Sequence, residues 1–105
     1  MKQIPNNDAR YLTVDGMLSG TGIRDSVAGG YIEPHQLNLS NGLVEWIKSW
    51  LSRYEQAHYA QFSDMNENCG LDQEGLAISK RLQEELPESK IEYYSSAALR
   101  KIVLT

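Results

Sequence analysis

The chain has 105 residues, of which 41% are hydrophobic and 23% charged, and it carries a formal net charge of −4 at pH 7. This length suits one domain with a modest core, and the apolar content excludes wholesale disorder. No apolar run reaches the roughly eighteen residues of a membrane span, and the polar start lacks the apolar segment of a signal peptide. Because Cys69 is the single cysteine, no internal disulfide can form, and we expect a cytoplasmic protein.

The negative charge is concentrated in the middle of the chain. Residues 33–89 carry ten acidic side chains against four basic ones. This balance argues against a nucleic-acid partner, because phosphate contacts need clustered Lys and Arg. It suits a basic protein partner, since complementary fields speed and orient association. The alternative is that the acids only keep the helix faces hydrated.

The first segments of the chain predict an arm, a strand and a loop. Residues 1–9 are polar, and we expect a loose arm there, followed by a single α/β domain over 10–105. Apolar and polar residues alternate over 11–18, which is the period of a half-buried strand, and Gly16 within it is a candidate bulge. A glycine-rich loop follows over 19–32.

Two amphipathic helices are predicted in the middle of the chain. Ser40 is a favourable N-cap, and apolar residues then recur at spacings of three and four, so we expect a helix over about 41–62. Residues 63–70 are polar and predict a linker. Asp72 is then expected to cap a second helix over about 72–86.

The end of the chain returns to extended structure. Residues 90–94 alternate and predict a strand, whereas 98–104 combine features of a strand and of a helical turn. Strand, helix, helix and strand in this order indicate an α+β fold. In this fold the two helices cover one face of a small sheet of two to four strands.

The sequence offers no recognised catalytic, cofactor or metal motif. Asp25 stands where a dinucleotide motif needs its third glycine, and no Gly-Lys-Ser/Thr follows. Glu55 and His58 match half of a di-metal carboxylate pattern, but the other histidine, His35, lies in a proline-containing loop. Cys69 has only acidic or polar neighbours, which do not activate a thiol. We therefore expect no metal, no cofactor and no enzymatic activity.

Two features permit both a structural and a partner-binding interpretation. The pair Arg24-Asp25 either pins the glycine-rich loop to the helices, as a salt bridge or a cap, or leaves Arg24 exposed to contact a partner. Trp46 and Trp50 are of a type that dominates many interfaces. Their spacing on one helix equally suits the core of the domain itself.

Several segments together resemble one family. They are Gly20-Thr21-Gly22-Ile23-Arg24-Asp25, Gly29-Gly30-Tyr31-Ile32-Glu33-Pro34, Leu37-x-Leu39-Ser40, Trp50-x-x-x-Tyr54-Glu55, Asp72-x-Glu74-Gly75 and Leu82-x-x-Glu85-Leu86-Pro87. They resemble small bacterial proteins found beside polymorphic toxins, and are similar to immunity proteins of contact-dependent growth inhibition systems. The resemblance implies a non-catalytic protein that binds one cognate toxin domain, often a nuclease, inside the producing cell.

The leading hypothesis is therefore an immunity protein that neutralises the C-terminal domain of a basic toxin by direct contact, without binding nucleic acid or membrane. The candidate partner-binding residues are Arg24, Asp25, Tyr31, Glu33, Asp64, Glu67, Asp72 and Glu74. Two alternatives stay open. One is a small cytosolic enzyme that uses Arg24, Asp25 and one of the two histidines, and the other is a structural subunit of an assembly.

Overall fold

The computed structural model describes residues 10–102, in which two helices lie on one face of a four-stranded mixed sheet. The elements in chain order are β1 (Tyr11–Asp15), β2 (Ile23–Asp25), a 3₁₀ turn (Pro34–Leu37), α1 (Asn41–Tyr59), α2 (Met65–Glu85), β3 (Lys90–Ser95) and β4 (Arg100–Ile102). The expected α+β class is confirmed. The predicted arm over 1–9 lies outside the described residues. Neither helix in the described part is long and apolar enough to cross a membrane.

Strand β1 lies at the centre of the sheet, whose strand order is β2-β1-β3-β4. It pairs antiparallel with β2 and parallel with β3, while β4 pairs antiparallel with β3. A parallel pair cannot be joined by a tight turn, so the chain crosses from one edge of β1 to the other through both helices. As a result, α1 and α2 cover the sheet side by side.

Strand β1 is shorter than the alternation over 11–18 predicts. It ends at Asp15, and Leu18 is 44% exposed instead of facing the core. Gly16 is no bulge within a strand. A Cβ atom at this position would lie 2.5 Å from the ring of Tyr54, so the absent side chain lets the turn after β1 rest on α1.

The glycine-rich loop contains a strand that the sequence pattern did not predict. Strand β2 has only three residues, which is too short for a periodic signal. Its outer edge is satisfied by the chain that follows, because the N–H of Ile32 donates to the carbonyl of Ile23 and the N–H of Asp25 donates to the carbonyl of Gly30. Residues 19–32 therefore fold back on themselves as part of the sheet.

Helix α1 confirms the strongest sequence prediction. The Ser40 hydroxyl accepts the N–H of Leu43 at 3.3 Å, as an N-cap does. Trp50 is fully buried, whereas Trp46 is half-buried. The helix ends at Tyr59 instead of 62, because Gln61 and Phe62 adopt left-handed backbone conformations with φ of 56° and 54°.

The predicted start of the second helix is wrong. Helix α2 begins at Met65, and its N-cap is Asp64, whose carboxylate accepts the N–H of Glu67 at 3.1 Å. The segment 63–70 is thus mostly helix and not a linker. Its first turns are exposed, and without an apolar stripe they resemble a linker in sequence.

The core lies between the helices and the sheet. Its fully buried side chains include Leu12, Val14, Ile23, Leu43, Ile47, Trp50, Tyr54, Ile78, Leu82 and Tyr93. Trp50 is central, since its ring lies 5.2 Å from that of Tyr54 and its N–H donates to the carbonyl of Leu71 at 2.9 Å. The core therefore ties α1, α2 and β3 together around one aromatic cluster.

Candidate partner-binding surfaces

The face of the sheet that turns away from the helices is polar, and we call it the open sheet face. Because side chains alternate along a strand, Leu12 and Val14 point to the helices and their neighbours point the other way. The open sheet face carries Tyr11, Thr13, Asp15, Arg24, Ser26, Tyr31, Glu92, Tyr94 and Lys101. Two of the predicted partner-binding residues, Arg24 and Tyr31, lie on it.

A buried carboxylate organises one half of the open sheet face. Asp15 is fully buried, and it accepts the Tyr31 hydroxyl at 2.9 Å. The Arg24 Nε atom lies 3.4 Å from its second oxygen. Burial, followed by the hydrogen bond to Asp15, raises the pKa of Tyr31. Tyr31 therefore stays a neutral hydrogen-bond donor beside this carboxylate.

The Arg24-Asp25 dipeptide does not form a pair with itself. Arg24 bonds to Asp15, while the Asp25 carboxylate accepts the N–H groups of Val27 and Ala28 at 2.9 Å each. The Ala28 and Val27 hydrogen bonds lower the pKa of Asp25. The expected salt bridge and cap are both present, but they fix the loop to β1 and to its own turn. The expectation that they pin it to the helices is wrong.

A second polar cluster lies on β3 and β4. The Tyr11 hydroxyl donates to Glu92, and Lys101 lies 3.4 Å from the other oxygen of the same carboxylate. The hydrogen bond to Glu92 raises the pKa of Tyr11. Lys90 stands 5.7 Å from the centre of the Tyr11 ring, within cation–π range. The Glu92 carboxylate is therefore paired with Lys101, and Lys90 rests against an aromatic ring.

The four predicted partner-binding acids between residues 64 and 74 have two different kinds of surroundings. Asp64 and Glu67 are exposed at the start of α2. Asp72 instead points to the sheet, where its carboxylate accepts the Tyr93 hydroxyl at 2.6 Å and the Ser95 hydroxyl at 2.7 Å. The prediction that Asp72 caps the helix is therefore wrong, and its charge is used inside the fold.

Glu74 links the two helices. Its carboxylate accepts two hydrogen bonds from Arg53, at 2.7 and 2.6 Å, and one from the Trp46 indole at 2.7 Å. The Arg53 guanidinium is the main reason that the pKa of Glu74 lies below its ordinary 4.5. Two predicted acids, Asp72 and Glu74, are thus already engaged, which leaves Asp64 and Glu67 as the available pair on α2.

The Glu74 contacts predict a specific acid sensitivity. Because the pKa of Glu74 is lower in the folded chain than the unfolded value of 4.5, its contribution is complete above 4.5 and is lost as the pH falls below it. We expect Glu74→Gln to cost on the order of 1 kcal/mol at neutral pH, after solvent screening of the half-exposed Arg53, and to weaken the pH dependence below 4.5.

Urea denaturation at several pH values measures this effect. The matched control is Glu45→Gln. Glu45 lies 3.7 Å from Lys48, but both side chains are mostly exposed, so this ion pair contributes little to stability. Equal pH profiles for Glu74→Gln and the wild type would contradict the assignment.

The groups proposed for the enzyme alternative are not gathered in one place. Arg24 lies on the open sheet face, while the His58 ring nitrogen lies 2.9 Å from the Gly16 carbonyl beyond the end of β1. His35 is exposed in the 3₁₀ turn, whose following residues 36–38 line a cleft with 85–89. Neither of two clefts, one lined by residues 16–20 with part of α1 and the other by 36–38 and 85–89, includes any of these groups. The described residues also hold no cluster of three potential metal ligands.

Three turns meet at the carboxyl ends of β1 and β3, and we call this region the turn end. They are residues 16–22, 60–64 and 96–99. His58 binds the Gly16 carbonyl, and the Ser96 hydroxyl contacts the Met17 sulfur at 3.3 Å. The sequence pattern does not reveal that Leu18, Tyr59, Met65 and Leu99 are exposed here, because their exposure depends on where the elements end.

Predicted site residues therefore fall into separate groups. Arg24, Asp25 and Tyr31 belong to β2 and the chain beside it, and Glu33 starts the 3₁₀ turn, where it takes part in a capping box. Asp64 and Glu67 lie near the turn end, whereas the turn that the Asp25 carboxylate holds lies beside Tyr11, at the other end of β1. The eight residues do not form one continuous surface.

This arrangement defines a small mixed α+β domain with polar and apolar surfaces available to a partner. Residues 18–96 match the family described as Serratia CdiI immunity protein-like. Because the match covers most of the chain, the protein belongs to this family, which confirms the resemblance to immunity proteins of contact-dependent growth inhibition systems. No curated protein and no solved structure matches the chain.

Proposed function

We propose that this protein binds the C-terminal domain of one cognate toxin in the cytoplasm of the producing cell and keeps that toxin inactive. The family match over residues 18–96 carries this proposal, since an immunity protein must act on a toxin. The dispersed positions of Arg24, His35 and His58 support neutralisation by binding and not by catalysis.

The charge of the chain supports a nuclease as the toxin. The net charge is −4, and nuclease domains present basic surfaces to their nucleic-acid substrates. An acidic protein that covers such a surface excludes the substrate either by occupying the active site or by blocking access to it. The same charge difference accelerates the encounter of the two proteins.

The test uses the toxin C-terminal domain encoded by the neighbouring gene, produced with and without this protein. We expect growth to be restored by co-expression and a 1:1 complex with a Kd of about 10⁻⁸ M or tighter by calorimetry. The affinity should fall about tenfold between 0.1 and 1 M salt, as the Debye length shrinks from about 10 to about 3 Å.

Two controls separate binding from other modes of protection. A toxin domain from an unrelated system should not bind, because immunity requires the cognate pair. Titration of nuclease activity should need one molecule of this protein per toxin molecule. Full inactivation by a small fraction of an equivalent would indicate catalysis and contradict the proposal, as would protection without a detectable complex.

A further inference from the structure

We infer that the turn end is the surface that contacts the toxin domain, and that the partner surface has an apolar centre with basic residues around it. This inference rests on the proposed function and names the part of the chain that performs it. It shares residues 19–22, Asp64 and Glu67 with the sequence hypothesis, and it moves the centre of the contact to exposed apolar side chains that the hypothesis did not include.

Exposed apolar side chains are concentrated at the turn end. Of seven large hydrophobic residues exposed in the described part of the chain, five lie there: Met17, Leu18, Tyr59, Met65 and Leu99. Tyr59, Met65 and Leu99 are 69%, 75% and 76% exposed. Single exposed apolar residues are ordinary, but a concentration of them marks an interaction site. Met and Tyr are also among the residue types enriched at interfaces.

The choice of leucine at 99 has no explanation within the fold. Leu99 has a φ of 57°, a left-handed conformation that Gly or Asn adopts at lower cost. Its side chain is largely exposed, so burial does not offset that cost. A residue that breaks a local rule without compensation inside the protein is a candidate for a role outside it.

The turn end is fixed before any partner arrives. The Tyr54 hydroxyl accepts the N–H groups of Ser96 and Ala97 at 3.1 and 3.3 Å, and Asn68 donates to the carbonyl of Phe62 at 2.8 Å. Together with the contacts of His58 and Ser96 to the first turn, these bonds connect all three turns to the helices. A surface held in this way loses little conformational entropy on binding.

The charges around the turn end favour a basic partner. Glu55, Asp64 and Glu67 are exposed there, and within residues 10–102 none of them forms an ion pair. Arg100 is the exposed cation beside Leu99. Elsewhere the acids Glu74 and Glu92 have cationic partners. The acids at the turn end therefore keep their attraction for an incoming cation.

A cleft beside the apolar residues can receive a side chain of the toxin. It has a volume of about 290 Å³ and separates the turn after β1 from α1. Leu18 and Leu51 line it together with the acid Glu55 and the base Lys48. Leu18 and Leu51 can contact the stem of a long basic side chain such as Arg, and the Glu55 carboxylate can pair with its head.

Leu99→Asn separates binding from stability. Asn tolerates the left-handed conformation, so the urea midpoint should equal or exceed that of the wild type. Binding to the toxin domain from the neighbouring gene should weaken about tenfold by calorimetry, as expected for the loss of an interface anchor. The triple change Leu18→Ser, Met65→Ser and Leu99→Asn should weaken binding about a hundredfold.

The control is Val27→Ser. Val27 is 82% exposed and lies at the opposite end of the sheet, so this variant should bind within about twofold of the wild type.

Asp64→Asn tests the charge at the turn end. Asn is as good an N-cap as Asp, so the fold should be retained while the negative charge is lost. We expect weaker binding at low salt and a smaller loss of affinity on adding salt. Amide hydrogen exchange of the wild-type complex should show new protection at 16–20, 60–65 and 96–99.

The outcomes distinguish the inference from the proposed function. Wild-type affinity in the triple variant, or protection confined to the open sheet face, would overturn the turn end as the contact and leave the immunity role intact. Failure of the wild type to bind the toxin domain would overturn both. If Val27→Ser weakened binding as much as Leu99→Asn does, the inference would also be contradicted, because the effect would not be specific to the turn end.

Discussion

Gly75→Ala is expected to destabilise the protein by about 2–3 kcal/mol, although alanine favours a helix by about 1 kcal/mol over glycine. The added Cβ would lie 2.3 Å from Cε1 of the Tyr93 ring and 2.7 Å from its hydroxyl oxygen. Tyr93 cannot move aside easily, because it is fully buried and its hydroxyl is bonded to Asp72 at 2.6 Å. Overpacking of 1–3 kcal/mol and a disturbed buried hydrogen bond therefore outweigh the gain in propensity.

The same helix supplies the matched control. Gly70 is exposed, and a Cβ there meets nothing within 4 Å. Gly70→Ala should therefore stabilise the protein by up to about 1 kcal/mol. Thermal and urea denaturation of both variants measures the difference, with Tm lower by about 10 °C in Gly75→Ala. Two changes of the same sign would contradict the close packing of α2 on β3.

The helices and the long strands could be predicted because their signals are local and periodic. Helix α1 combines the Ser40 cap with a broad apolar stripe, and β3 shows clear alternation over 90–94. Such patterns determine which faces are buried irrespective of the rest of the chain. The prediction of the α+β class followed from the order of these elements, and the structure confirms it.

The missed features depend on contacts between distant parts of the chain. Strand β2 is recognisable only through its pairing with β1, since three residues carry no period. The start of α2 was misplaced because Asp64 and Asp72 are equally good caps in sequence. Tyr93 and Ser95 come next to Asp72 only in the folded chain. Their hydroxyls are the reason that the Asp72 carboxylate points inward.

The candidate site was predictable only in part for the same reason. Sequence marks Asp64, Glu67, Asp72 and Glu74 as one acidic group, whereas the fold sends two of them inward to other side chains and leaves two exposed. The alternation over 11–18 places Leu18 on the same side as the buried Leu12 and Val14, but Leu18 is exposed because β1 stops at Asp15. Exposure at the turn end is thus a property of where elements end, which is the least certain part of any sequence prediction.

Asp72→Ala is expected to cost on the order of 3 kcal/mol. The carboxylate accepts the hydroxyls of Tyr93 and Ser95 and, at 3.4 Å, that of Tyr54, so its removal leaves three buried donors without this partner. Asp72→Asn keeps one acceptor oxygen and should cost roughly 1 kcal/mol. The control Gln73→Ala changes the next, exposed residue and should stay within about 0.5 kcal/mol of the wild type. Urea denaturation provides all three values.

The same variants decide whether Asp72 contacts the toxin. Since its carboxylate is bonded to β3, we expect folded Asp72→Asn to bind the toxin domain within about twofold of the wild type while its stability falls. Leu99→Asn should show the opposite, with weaker binding and undiminished stability. If Asp72→Asn lost affinity for the toxin domain without losing stability, Asp72 would have to be counted among the residues that contact the toxin. The two variants together therefore separate the residues that hold the fold from those that meet the partner.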